Sequence, residues 1–193
     1  MKFSTSFVVM SLATLGLAAP LNVPRANPCF QTGNVALPAE IQNGVAALAK
    51  AVTCNAAKQV RPNVPDVTSG GITFSSIDFA NSPGDSPVGF ALKNFAIPAD
   101  PKQADKAKLQ NQLNTYLAVE TGLRSNPNPG ALLNKLKGPK FFLQFQIARI
   151  NQATGVAVKA GGTVEHQLGK VLKNAPGAKA AELAQVQALA KLV

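Results

Sequence analysis

The sequence contains no tryptophan, a single tyrosine (Tyr116) and a single histidine (His166). Surfaces that bind nucleic acid usually stack the bases on aromatic side chains, and sugar-cleaving clefts use aromatic platforms in the same way, so this scarcity argues against both functions. Catalysis by two histidines is excluded by their number. A lone histidine is more often a surface or packing residue than a catalytic base, so we assign His166 no catalytic role.

Motifs for nucleotides and metals are also missing from the sequence. The glycine pairs Gly70–Gly71 and Gly161–Gly162 lie in no dinucleotide-binding or P-loop pattern. A zinc site would require histidines near the cysteines in the chain, and the cysteines have none near them. We therefore expect no cofactor and no metal, and we expect a binding protein rather than an enzyme.

The N-terminal 18 residues have the pattern of a signal peptide. Lys2 is followed by an apolar core over residues 7–17, and Gly16 and Ala18 put small residues at the −3 and −1 positions of a cut after Ala18. The apolar core is shorter than the ~20 residues that span a bilayer, and no other segment comes close. We therefore expect a secreted, extracellular or wall-associated protein without a transmembrane segment. Residues 19–25 are a short spacer or pro-segment, and residues 26–193 form one domain.

Cysteine is rare, with only Cys29 and Cys54 present. In an oxidising compartment an even pair predicts one disulfide. The chain-entropy argument predicts that a cross-link closing the loop between these two cysteines stabilises the fold by about 3.5 kcal/mol. Two free buried thiols are the alternative, and secretion disfavours them.

Acidic residues are outnumbered: 19 lysines and arginines stand against 9 aspartates and glutamates, and the formal net charge is +10. After residue 134, nine bases are balanced by Glu165 and Glu182 alone. This basic third predicts contact with an anionic polysaccharide, a lipid surface, or a host or microbial protein. A lysine-rich surface that only keeps the protein soluble is the alternative. The candidate contact residues are Lys135, Lys137, Lys140, Lys170 and Lys173.

Helical periodicity is clear in three segments. Apolar residues recur on one face of residues 39–53, 100–124 and 178–193, as expected for helices that pack on a core. Residues 163–173 fit either a helix or a strand, and we prefer the helix. Two prolines and a glycine pair in residues 55–71 predict a loop.

Strands are predicted where β-formers and period-two patterns occur. Residues 72–79 and 88–97 are rich in β-formers and are separated by a Pro/Gly turn. Phe141, Leu143, Phe145 and Ile147 alternate within residues 138–151, which predicts the central strand of the core. A short strand near residue 156 would be the fourth.

This order of elements predicts an α+β domain, with an antiparallel sheet of three to four strands and helices packed on one face. The oligomeric state is left open.

Two further functions remain as alternatives to anion binding. Ten phenylalanines suggest an apolar pocket between sheet and helices that carries a small apolar ligand. A carboxylate-based hydrolase would need a pair of acids, and Asp78 and Glu120 are the best placed for it.

The Leu-Ala-Ala-Pro junction at residues 17–20, the spacer ending in Pro24–Arg25, the single cysteine pair and the alanine-rich, tryptophan-free body resemble small secreted proteins of filamentous fungi. The resemblance implies an extracellular or wall-associated protein, and some members of this class act as effectors on a host or on a competing microbe. It identifies no functional residue.

Overall fold

The computed structural model describes residues 27–192. The predicted signal peptide and the spacer that ends at Arg25 lie outside this range. Short 3-10 turns occur at Phe74–Ser76, Phe79–Asn81, Pro101–Gln103 and Ala160–Gly162. The helices and strands, in chain order, are α1 (Ala39–Ala51), β1 (Thr53–Arg61), β2 (Val64–Ser69), β3 (Ile72–Thr73), α2 (Pro87–Asn94), α3 (Lys106–Ser125), α4 (Gly130–Ala153), α5 (Val164–Lys173) and α6 (Ala180–Leu189).

The fold is α+β, as the sequence predicts, and its three strands form one antiparallel sheet in the order β1-β2-β3. Cys54 pairs with Val67 between β1 and β2, and Thr68 pairs with Thr73 between β2 and β3. The central strand β2 packs against α3, whereas most side chains of β1 are exposed. The helices predicted at 39–53, 100–124, 163–173 and 178–193 correspond to α1, α3, α5 and α6.

The strands lie elsewhere than predicted. Residues 55–71, predicted to be a loop, contain most of the β1–β2 hairpin. Asn63 has a φ of 58°, and the proline before it has its φ fixed near −65°, which is the combination found at the centre of a type II turn. One of the two prolines that suggested a loop, Pro62, therefore lies in the hairpin turn, and the other, Pro65, lies in β2. Of the predicted strand at 72–79, only Ile72–Thr73 is a strand.

The predicted strand at 88–97 is wrong, because this segment forms α2. Ser86 caps the helix by accepting a hydrogen bond from the Gly89 N–H at 2.9 Å, and Pro87 occupies the first turn. Residues Pro87 to Leu92 are all buried, so the apolar side chains show no single stripe. Burial on all sides makes a short helix resemble a strand in sequence.

The predicted central strand at 138–151 is also wrong, because it is the middle of α4. This helix packs against α2, α3 and α5, and its buried positions include Phe142, Leu143, Phe145 and Ile150. Its apolar residues therefore surround the axis instead of forming a stripe. A side chain at Gly138 would lie 3.0 Å from the Cβ of Pro87, so the glycine allows α2 to approach α4 closely.

The predicted disulfide between Cys29 and Cys54 is present, with a Cα–Cα distance of 6.0 Å. It fixes the N-terminal arm, residues 27–38, to the start of β1. Phe30 of the arm is completely buried. The Val35 N–H donates to the Ser125 carbonyl at 2.9 Å, so the arm also closes over the end of α3.

Tyr116 lies at the centre of the core, where α3 faces the turns that follow β3. Its ring packs edge-on against Phe74 at 5.1 Å and Phe95 at 5.9 Å, and its hydroxyl donates to the Ile77 carbonyl at 2.8 Å. Burial, together with the nearby Asp78 carboxylate, raises the pKa of Tyr116 well above its ordinary value of 10.0. The folded state therefore holds this phenol neutral.

The pKa of Tyr116 predicts a loss of stability in base. The folded protein keeps the phenol proton at pH values where the unfolded chain releases it, so this contribution is intact below pH 10.0 and falls as the pH rises above it. Tyr116 is the only tyrosine and tryptophan is absent, so tyrosinate absorbance reports this residue alone. We expect the absorbance to rise only together with the loss of helical circular dichroism. Absorbance that rises near pH 10 with helicity intact would contradict this placement, and urea-unfolded protein is the control.

Candidate anion-binding surface

Two cations contact one buried carboxylate where α3 packs on α4. The side chain of Glu120 on α3 has no exposed surface. Its Oε2 accepts a hydrogen bond from Lys140 Nζ at 2.7 Å, and its Oε1 accepts from Arg124 Nε and Nη2 at 3.0 and 2.9 Å. Arg124 reaches the carboxylate because it follows Glu120 by one helical turn. Lys140 reaches it because α4 runs antiparallel to α3.

Lys140 is a buried structural residue, with 5% of its surface exposed. Burial lowers the pKa of its ammonium, the Glu120 carboxylate opposes this shift, and the charges of Arg124 and Lys170 add to it. A lysine of this kind is not available to an external partner. Lys140 is therefore the predicted contact residue that lies beneath the surface and does not form part of it.

Phe141 connects Lys140 to the surface. Lys140 Nζ lies 4.2 Å from the centre of its ring, and Lys170 Nζ on α5 lies 5.4 Å from the same ring. Both distances are within the range of cation–π attraction. Lys170 is thus held beside Lys140 even though their charges repel. Lys140 and Lys170 thus place two positive charges at this ring, and Glu120 pairs with the buried one, Lys140.

The surface cations lie along α4 and α5. Lys170 and Lys173 line a cavity of about 550 Å³ together with His166 and Glu165. A second cavity, of about 330 Å³, joins Lys173 to Asn134. Asn134 accepts a hydrogen bond from Lys137 Nζ at 3.3 Å. We call Lys137, Lys170 and Lys173 the basic face.

Lys135 does not belong to the basic face. It is exposed and lies on α4 two residues before Lys137. Each helical residue turns the side-chain direction by about 100°, so Lys135 and Lys137 leave the helix about 160° apart. The structure therefore brings together three of the five predicted contact lysines at the surface, buries Lys140 beneath them and separates Lys135.

The acids proposed for hydrolase chemistry are both paired with cations. Asp78 accepts hydrogen bonds from Arg61 Nη1 and Nη2 at 2.6 and 2.7 Å, and Arg61 also lies over the rings of Phe74 and Phe79. Glu120 is held by Lys140 and Arg124, as described above. Each carboxylate thus pairs with a buried or partly buried cation and stabilises the packing of its neighbours. Nothing in this geometry supports a catalytic acid–base pair.

A cluster that the sequence did not suggest joins the hairpin to the turn after β3. Ser75 Oγ donates to Asp66 Oδ2 at 2.5 Å, and Lys58 Nζ donates to Ser75 Oγ at 2.7 Å. Burial alone would raise the pKa of the Asp66 carboxyl, but the hydrogen bonds from Ser75 and Lys58 lower it below its ordinary value. A carboxylate with a lowered pKa is a poor base, so this cluster ties segments together. Only the folded hairpin brings the three residues into contact.

The phenylalanines fill the core. Phe90 packs edge-on against Phe95 at 5.7 Å, and Phe142 lies 6.0 Å from Phe145. Their mutual packing explains the abundance of phenylalanine without an apolar ligand. Seven phenylalanines are buried: Phe30, Phe74, Phe79, Phe90, Phe95, Phe142 and Phe145.

Among residues 27–192, no helix is long and apolar enough to cross a bilayer.

The ion cluster predicts that removing the charge of Glu120 strongly destabilises the protein. Glu120→Gln keeps the size of the side chain but leaves Lys140 and Arg124 without a counter-charge. We expect the free energy of unfolding to fall by about 3 kcal/mol or more, measured by urea denaturation. Adding Lys140→Met, which removes the buried cation, should restore more than half of this loss.

Glu165→Gln is the matched control, because Glu165 is exposed on α5. Its effect should stay within about 0.5 kcal/mol. If Glu120→Gln is as mild as this control, the cluster does not hold α3 to α4.

Comparison with known proteins places the chain in a family. No curated protein and no solved structure is detectably similar to it. A family model described as a domain of unknown function, DUF7143, matches residues 31–193, which include every helix and strand named above. The chain therefore belongs to the DUF7143 family.

Proposed function

We propose that this protein is secreted and binds an anionic extracellular polysaccharide through the basic face, without catalysing a reaction. The contact of Lys140 and Lys170 with the ring of Phe141 is the observation that carries the proposal. It concentrates positive charge at the α4–α5 surface and holds part of that charge in a fixed position. The leader-like N-terminus and the disulfide support an oxidising, extracellular location.

The chemistry of the basic face favours a flexible polyanion. Lysine ammonium groups act as mobile point charges, whereas arginine forms planar, bidentate contacts with phosphate. The basic face contains lysines only, and Glu165 is the one acid that lines its larger cavity. A carboxylated or sulfated polysaccharide presents a repeating charge that such a face can follow without a fixed register. Binding of this kind is screened by salt and should weaken strongly as the ionic strength rises.

The proposal is tested with a charge reversal confined to the surface. Lys137→Glu, Lys170→Glu and Lys173→Glu are combined, and Lys140 is left unchanged to preserve the fold. Binding to immobilised heparin and to polygalacturonate is measured at low salt, with dextran as the neutral polymer. We expect the triple variant to bind about tenfold to a hundredfold more weakly, because three attractions of up to about 1 kcal/mol each become repulsions.

The matched control makes the same change in net charge elsewhere. Lys50, Lys108 and Lys135 are all exposed and lie outside the basic face. Their combined reversal to glutamate should weaken binding no more than about threefold, since these side chains project from other parts of the surface and act only through the screened net charge. Equal loss in both variants would show attraction by net charge alone. No binding by the unaltered protein would end the proposal.

A further inference from the structure

Exposed apolar side chains gather at the C-terminal end of α4. The large hydrophobic residues most exposed among residues 27–192 are Val35, Val156, Val158 and Leu192, with 44, 46, 40 and 49% of their surface accessible. Single exposed residues of this kind are normal on protein surfaces, but their grouping is not. The last three lie together at one end of the molecule, and we call them the apolar tip.

The contacts of the last turn of α4 locate the apolar tip. The Val156 N–H donates to the Asn151 carbonyl at 2.8 Å, so Val156 follows directly on the helix end. The Leu192 carbonyl accepts a hydrogen bond from Arg149 Nη2 at 2.8 Å, which fixes the C-terminal tail beside the same turn. Every residue from 154 to 161 is exposed, so the loop that carries Val156 and Val158 projects from the body.

Four exposed lysines surround the apolar tip. Lys106 Nζ donates to Asn151 Oδ1 at 2.6 Å. Lys102 and Lys191 line a cavity of about 590 Å³ with Gln152 and Leu192. Lys159 follows Val158 in the projecting loop. We call Lys102, Lys106, Lys159 and Lys191 the lysine ring.

Two acids lie near the lysine ring, and both are engaged as helix caps. Asp100 lines the same cavity as Lys102, and its Oδ1 accepts from the Lys102 N–H at 3.0 Å. Asp105 Oδ1 accepts from the Lys108 N–H at 2.9 Å. Their charge is directed at backbone N–H groups at the start of short turns and helices. The ring therefore keeps an excess of positive charge around the apolar tip.

We propose that this end of the molecule docks on an anionic lipid surface. The apolar tip would enter the interface between headgroups and acyl chains, and the lysine ring would contact the anionic headgroups. Apolar side chains surrounded by lysines are the combination that such an interface binds. A water-soluble polyanion would bind the lysines but would leave the three apolar side chains exposed. A loop that projects from the protein can also enter a deformable lipid layer more readily than it can pack on a flat protein surface.

The docking end and the basic face approach each other at the loop before α5. Lys137 lies sixteen residues before the end of α4 at Ala153, which corresponds to about 24 Å along the helix. Lys170 and Lys173 lie nearer, because they line one cavity with Ala160, the residue after Lys159. The apolar tip therefore distinguishes the lipid proposal from polysaccharide binding, because a soluble polyanion does not need it.

The test uses co-sedimentation of the full protein with vesicles of phosphatidylcholine and phosphatidylserine in equal parts, and with vesicles of phosphatidylcholine alone. We expect binding to the mixed vesicles and at least about tenfold weaker binding to the neutral ones. Each lysine near an anionic surface should strengthen binding about fivefold. Val156→Ser, Val158→Ser and Leu192→Ser combined should weaken binding to the mixed vesicles at least about tenfold. Circular dichroism would confirm that these exposed changes leave the fold intact.

Two matched variants control the lipid test. Val35→Ser removes the fourth exposed apolar side chain, which lies at the far end of α3 beside Ser125, and should change binding less than about twofold. Lys137→Glu, at the part of the basic face about 24 Å from the end of α4, should also leave vesicle binding within about twofold. The proposal is overturned if the protein does not bind the mixed vesicles. It is equally overturned if the apolar variant binds as well as the unaltered protein, or if Lys137→Glu alone abolishes binding.

Discussion

The burial of α4 on nearly all sides is the constraint on which the rest of the structure depends. A helix in this position must pair most of its polar side chains internally, because an unpaired buried polar group is costly. Lys140 bonds to Glu120 of α3, Gln146 donates to the Phe95 carbonyl after α2, and Arg149 donates to the Leu192 carbonyl of the tail. Each of these contacts fixes a different neighbour. The polar residues of α4 thus determine where α3, α2 and the C-terminal tail lie.

The same constraint determines which charges reach the surface. Lys140 is held inside by Glu120, so the positive charge that the basic face presents is that of Lys137, Lys170 and Lys173, while Lys135 leaves α4 on another side. Phe141 positions Lys170 beside the buried cluster, and this couples the basic face to the core. At the other end of α4, the projecting loop and the tail expose apolar side chains between lysines. One central helix thereby organises both proposed binding surfaces.

The sequence predicts those elements that have one buried face and one exposed face. The stripes of α1 and α3 are visible for this reason, and the disulfide follows from the count of cysteines. The sequences of α2 and the middle of α4 resemble strands because burial on several sides removes the helical stripe. The sequence of β1 shows no alternation because β1 is an edge strand whose side chains are exposed or half-buried. The α+β class is confirmed although its strands lie at residues 53–73. The partner of Lys140 could not be predicted, since Glu120 lies on another helix.

The central claim is that α4 is the innermost element and opens only when the whole protein unfolds. Native-state hydrogen exchange of the amides from residue 140 to residue 150, compared with those of α6, tests it most directly. The account predicts that the α4 amides exchange with the free energy of global unfolding and that those of α6 exchange earlier, through local opening. Exchange of α4 at the rate of α6 or faster would contradict it.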